Sequence, residues 1–138
     1  MRILISACLL GAACRYDGGS KACEKAVRLG DRHVLIPVCP EQLGGLATPR
    51  PPAENRGDKV VNRQGLDVTE EYKKGAAETL RLYRLCRCDM AVLKARSPSC
   101  GCDGVYDGTF SHTLVPGMGV TARMLKEAGV QVISEEAL

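Results

Sequence analysis

The stretch "KARSPSCGCDG" (residues 94–104) places two thiols, Cys100 and Cys102, and two hydroxyls, Ser97 and Ser99, directly behind the apolar run "MAVLKA" (90–95). Two more cysteines hold comparable places, Cys8 just after "RILIS" (2–6) and Cys39 at the end of "HVLIPVC" (33–39). These thiols are far apart in the chain and form no contiguous Cys-x-x-Cys motif. If the three runs are parallel strands, however, Cys8, Cys39 and Cys100 collect at one carboxyl edge, where open α/β sheets bind ligands. Three thiolates meeting at a point suit a soft metal, either zinc with an open fourth position or an iron-sulfur cluster with one iron lacking a protein ligand. Pro40 directly after Cys39 matches the proline that follows cluster cysteines in ferredoxin-type runs.

Glu41 stands two residues behind Cys39, at what reads as an extended loop start where no helix face needs a charge. A carboxylate beside a metal ligand can serve as a general base, whereas the plainer reading is a solvated surface acid. Ser97 and Ser99 flank a proline, which is ordinary turn chemistry. Ser97 is nearer the strand end and is the better candidate to face a reacting group. Cys23, inside an amphipathic pattern, and Cys86, at a helix end, read as small hydrophobes. Cys14, Cys88 and Cys102 receive no role. Neither His33 nor His112 sits at a zinc-ligand spacing from a cysteine, and His112 is kept only as a substrate contact. Gly117-x-Gly119 lacks the Lys-Ser/Thr ending of a phosphate loop.

The elements that must position these residues follow from periodicity. "RILIS", "HVLIPVC", "MAVLKA" and "VQVIS" (130–134) read as buried strands. "GSKACEKAVRLGD" predicts a helix capped by Ser20 and stopped by Gly30. Residues 67–86 form the clearest helix, with acids in the first turn and bases in the last, and "GVTARMLKEAG" (119–129) another. Strands alternating with helices predict an α/β fold: one doubly wound, Rossmann-like domain over residues 1–138 with a mostly parallel sheet. The connections 40–58 and 97–117 are longer than the ~2–6 residues usual in such units and are expected to carry function. A small hairpin around Asn62–Gly65 is expected after the first.

Composition narrows the class. Nineteen Lys+Arg against sixteen Asp+Glu leave a charge of +3 with no basic run, and four Tyr, one Phe and no Trp supply little for base stacking along a strand. No dedicated nucleic-acid surface is expected. "ISAC" (5–8) imitates a lipoprotein box, but too few residues precede Cys8 for a signal peptide, and no apolar run is long enough for a membrane span. A cytoplasmic location follows, where eight clustered cysteines are more often ligands or reactive groups than disulfides.

Several ordered blocks, "SACLLGAACRYDG", "PVCPEQLGGLATPRPPAE", "GLDVTEEYKKGA", "KARSPSCG" and "GMGVTARMLKEAG", together resemble the bacterial iron-sulfur thiouracil desulfidases, in their short form. The resemblance implies a [4Fe-4S] cluster held by Cys8, Cys39 and Cys100, with Glu41 and Ser97 catalytic. It implies non-redox desulfuration of a thiolated nucleobase or nucleoside, thiouracil giving uracil and sulfide. Family membership alone does not fix the substrate. Two alternatives stay open, a zinc- or cluster-braced binding module without catalysis and a sulfur carrier using Cys100 and Cys102 as a thiol pair. Oligomeric state is not legible in the sequence.

Overall fold

The computed structural model describes all 138 residues. In chain order the strands are β1 (Arg2–Ser6), β2 (Val34–Val38), β3 (Ala53–Arg56), β4 (Lys59–Asn62), β5 (Met90–Leu93), β6 (Val105–Tyr106), β7 (Leu114–Val115) and β8 (Val132–Ser134). The helices are α1 (Glu24–Arg28), α2 (Pro40–Leu43), α3 (Thr69–Leu85) and α4 (Val120–Glu127). Four parallel strands form the central sheet in the order β2-β1-β5-β8. The chain leaves β1 to one side for β2 and returns on the other side for β5. Such a reversal opens a crevice beyond the carboxyl ends of the two central strands. Across that crevice the Lys94 N–H donates to Ser6 Oγ at 2.9 Å, tying the two strand ends together.

Strand alternation assigns each face its own core. Ile3, Ile5, Met90 and Val92 pack with Ala26 of α1 on one side, and Leu4, Ala91, Leu93 and Val132 pack with Ala122 and Leu125 of α4 on the other. Leu80 and Tyr83 of α3 join the second face. The helices therefore cover both faces, as the doubly wound plan requires. Pro37 lies within β2 without breaking the sheet because β2 is an edge strand and its missing N–H faces outward.

Three departures from the sequence expectation have physical causes. The first helix begins at Glu24, not behind a Ser20 cap, because Lys21 N–H donates to Cys8 O at 3.0 Å and Cys23 N–H to Leu9 O at 2.9 Å. That backbone is committed to the Cys8 turn and is not free to coil. Each long connection folds into an antiparallel hairpin of its own, β3–β4 and β6–β7. The Asn62–Gly65 segment does turn as expected, with Asn62 Oδ1 accepting from Gln64 N–H and Leu66 N–H at 2.9 and 3.0 Å and an isolated antiparallel bridge pairing Val61 with Asp67, while the longer ladder of β4 is with β3. Finally, Glu41 is not in an extended loop: it sits in the first turn of α2, behind Pro40 at the helix start. No helix is long and apolar enough to cross a membrane.

Candidate active site

Each of the three strand-end cysteines is held by backbone that has little freedom. Cys8 lies in the tight turn Ala7–Leu10 directly after β1, closed by Gly11 at φ 101°. Cys39 caps α2 after β2, and its Sγ donates to the Cys14 carbonyl at 3.7 Å. Cys100 belongs to a turn in which Ser97 Oγ accepts from Ser99 N–H at 3.1 Å and from Cys100 N–H at 3.0 Å. That turn docks on the N-terminus of α4, whose otherwise unpaired N–H groups find its carbonyls. Gly119 N–H donates to Gly101 O at 2.7 Å, Val120 N–H to Pro98 O at 3.0 Å and Thr121 N–H to Ser99 O at 2.9 Å. A Cβ on Gly119 would run into the Ser99 carbonyl. The Gly117-x-Gly119 motif thus serves close packing of the Cys100 turn.

The thiols sense one another. Burial, and then Cys39, raise the Cys8 thiol above the ordinary range, against the pull of Lys94 and Arg15. Burial pushes Cys100 up to about 12, with Glu41, Cys8 and Cys39 adding to it and a hydrogen bond from Ser6 opposing it. Cys14 is a fourth thiol in the group, pushed up to about 12 by burial, Cys39 and Cys8. The sequence offered no strand-end argument for Cys14, and Ser6 looked like one more strand residue. Their signal is only the tight block "SACLLGAAC".

Cys8, Cys39 and Cys100 open, with Glu41 and Ser97, onto one cavity of about 600 Å³. No three His, Cys, Asp or Glu side chains close tightly enough to chelate a single ion. Three thiols on one cavity are a soft donor set that fits an iron-sulfur cluster. All eight cysteines are free. Cys102 is buried in the core under α4 and does not line the cavity, which removes it as an exposed partner for Cys100. Cys23 caps α1, Cys86 caps α3, and neither reaches the cavity. His33 meets the N-terminal amine at 3.0 Å and does not line the cavity, while His112 does.

Glu41 is fixed by two donors on one oxygen. Arg50 Nε reaches Oε1 at 3.2 Å and the Tyr72 hydroxyl reaches it at 2.5 Å. Arg50 is itself locked, donating to Cys14 O and Thr48 Oγ1, both at 2.9 Å, with only 6% of its side chain exposed. No protein donor meets Oε2, so that oxygen is left for the cavity. Glu41 and Arg50 come from the long connection 40–58, and Tyr72 from α3; the sequence gives no hint that the last two serve the site.

A cavity lined by thiols and a held carboxylate, at the switch point of a parallel sheet, is the arrangement of an α/β enzyme with its ligand site at the carboxyl edge. The model of the 2-thiouracil desulfurase family matches residues 3–137, and the chain belongs to that family. It is 46% identical to a protein of Bacillus subtilis (strain 168), the uncharacterized protein YbbK, over 99% of this chain and 97% of the relative. A solved structure of TudS, a [4Fe-4S]-dependent thiouracil desulfidase, superposes with a TM-score of 0.91 at 44% identity, covering 99% of this chain and 92% of that one.

Proposed function

We propose that residues 1–138 act as one catalytic unit that removes sulfur from thiouracil without net electron transfer, water entering and uracil and hydrogen sulfide leaving. Cys8, Cys39 and Cys100 would hold a [4Fe-4S] cluster. The observation that carries this reading is the arrival of three thiols from three strand ends at one cavity, beside a carboxylate held by one oxygen only. When bound, the cluster supplies an iron without a protein ligand, a Lewis acid with affinity for sulfur that makes a thiocarbonyl carbon more electrophilic.

The protein's own groups do the rest. Glu41 Oε2 takes the proton of the attacking water, while Arg50 and Tyr72 keep the carboxylate from turning away. Ser97 Oγ already accepts two backbone N–H bonds, so its own hydroxyl proton is free to be donated into the cavity. Ser6 stabilises the thiolate form of Cys100 through its hydroxyl. Arg15, Lys21 and Lys94 line the wall, and Lys21, which has no acid partner where Arg15 and Lys94 pair with Asp17 and Glu135, would favour the anionic sulfide that departs. Eight thiols with no disulfide among them support a reducing compartment, such as the cytoplasm, as its setting.

The test is anaerobic. Protein made and kept without oxygen should carry about four irons and four sulfides per chain, by the composition of such a cluster, and should release uracil and sulfide from thiouracil with no added reductant. Full zinc occupancy with no iron, or uracil formation only in the presence of an electron donor, would overturn the reading.

A further inference from the structure

Part of the cavity wall is built by the two hairpins into which the long connections fold. Glu54 of β3 is 8% exposed, lines the cavity, and forms no ion pair. Its Oε1 accepts from Gly108 N–H and from Phe110 N–H, both at 3.0 Å, across to the loop between β6 and β7. Oε2 meets no protein donor. A buried carboxylate without a cation is costly unless its lone pairs find donors, so Oε2 faces the cavity as an acceptor awaiting one.

The loop that Glu54 holds carries the chain's only phenylalanine. Phe110 has φ 58°, a conformation that bulky residues rarely adopt and that surrounding contacts must enforce. Besides the Glu54 bonds, Arg56 Nε donates to Gly108 O at 2.9 Å, and the Arg63 guanidinium covers the Phe110 ring at 5.5 Å from its centroid. In a chain with four Tyr, one Phe and no Trp, Tyr16, Tyr106 and Phe110 all line this cavity. Aromatic faces are concentrated here, where a flat ring would need them.

We propose that Glu54 and Phe110 form the subsite that recognises the pyrimidine ring: Glu54 Oε2 accepts from the ring N3–H, and Phe110 stacks on the ring face. The inference rests on the desulfidase reading for its ligand. N3–H is the donor shared by a free thiouracil and its nucleoside, and it flanks both carbons that can carry sulfur. An acceptor at that edge therefore fixes the side of the ring that carries either thiocarbonyl while leaving the N1 side open.

The experiment compares binding of 2-thiouracil and 3-methyl-2-thiouracil to cluster-loaded protein by anaerobic calorimetry, alongside kcat and KM for uracil release. Wild-type protein should bind the methylated compound about 10- to 100-fold more weakly, the loss expected when a buried acceptor is left unpaired. Glu54→Gln keeps an acceptor for the loop N–H groups but turns the cavity-facing atom into a donor, so the discrimination between the two compounds should vanish. Phe110→Ala should raise Kd and KM about tenfold with a smaller change in kcat, and Phe110→Tyr should restore both. Equal binding of the two compounds by the wild type, or discrimination retained in Glu54→Gln, overturns the subsite. The wild-type comparison needs no variant to fold. Discriminating binding without desulfuration would sink the proposed reaction and leave the subsite standing; desulfuration without discrimination would do the reverse.

Discussion

The Tyr72 hydroxyl, on α3, donates to Glu41 Oε1 at 2.5 Å, in the first turn of α2. Tyr72 is 2% exposed, and burial together with the Glu41 charge raises its hydroxyl well above the ordinary tyrosine range, so it stays a donor. Tyr72→Phe removes this donor with almost no change in volume. The unfolding free energy should fall by about 1.5–3 kcal/mol, the worth of a hydrogen bond to a charged group, read from urea melts. Turnover should fall while iron content holds, because Arg50 alone leaves the carboxylate free to swing.

The same helix pair meets at two glycines. A Cβ on Gly75 would run into the Pro40 carbonyl, and one on Gly44 into the Glu71 carbonyl, so α2 lies directly on the α3 backbone. Gly75→Ala adds helix propensity of about 1 kcal/mol yet forces α2 away, and an overpacked contact costs about 1–3 kcal/mol or more. Because Cys39 caps α2, the variant should lose iron as well as stability. Iron per chain at the wild-type level in Gly75→Ala would show that α2 does not position that thiol.

Much of this arrangement was legible in the sequence and some was not. The four parallel strands announced themselves as short apolar runs, and the strand-end rule then put Cys8, Cys39 and Cys100 at one edge without any local motif. What stayed hidden depends on contacts distant in sequence. Nothing in "AENR" (53–56) marks a strand, because its Glu54 is buried for the sake of backbone N–H groups at Gly108 and Phe110. Arg50 looked like a loop cation and Tyr72 like one position in a helical stripe, yet both serve Glu41. Cys14 escaped because it follows no strand and meets Cys39 only through the folded turn.

The proposed ligand set makes a contrast among the cysteines. Cys8→Ser, Cys39→Ser and Cys100→Ser should each abolish retention of iron, whereas Cys23→Ser and Cys86→Ser, at helix ends away from the cavity, should keep it. Iron and sulfide analysis on anaerobic samples reads the result. Equal loss in all five variants would indicate general instability and remove the assignment.

Glu41 separates chemistry from mere cluster binding. Glu41→Gln preserves the size of the side chain and its contact with Arg50 through the amide oxygen, so the fold around α2 and the three thiols should be undisturbed. The cluster should assemble to the wild-type level, and thiouracil should still bind. What is removed is the basic oxygen open to the cavity. Uracil release should then fall by about 10²–10⁴, the loss typical of a positioned acid-base group. Ser97→Ala is expected to differ in kind, because Ser97 Oγ also accepts the Ser99 and Cys100 N–H groups. Losing those bonds loosens the Cys100 turn, so this variant should lower iron content along with turnover, and its rate per cluster should fall less than that of Glu41→Gln. Uracil formation and iron must therefore be measured on the same sample. A Glu41→Gln enzyme that desulfurates at the wild-type rate with a full cluster would reduce the carboxylate to a structural partner of Arg50 and Tyr72, and would require the proton to be taken by another cavity group, with Glu54 the remaining carboxylate on its wall.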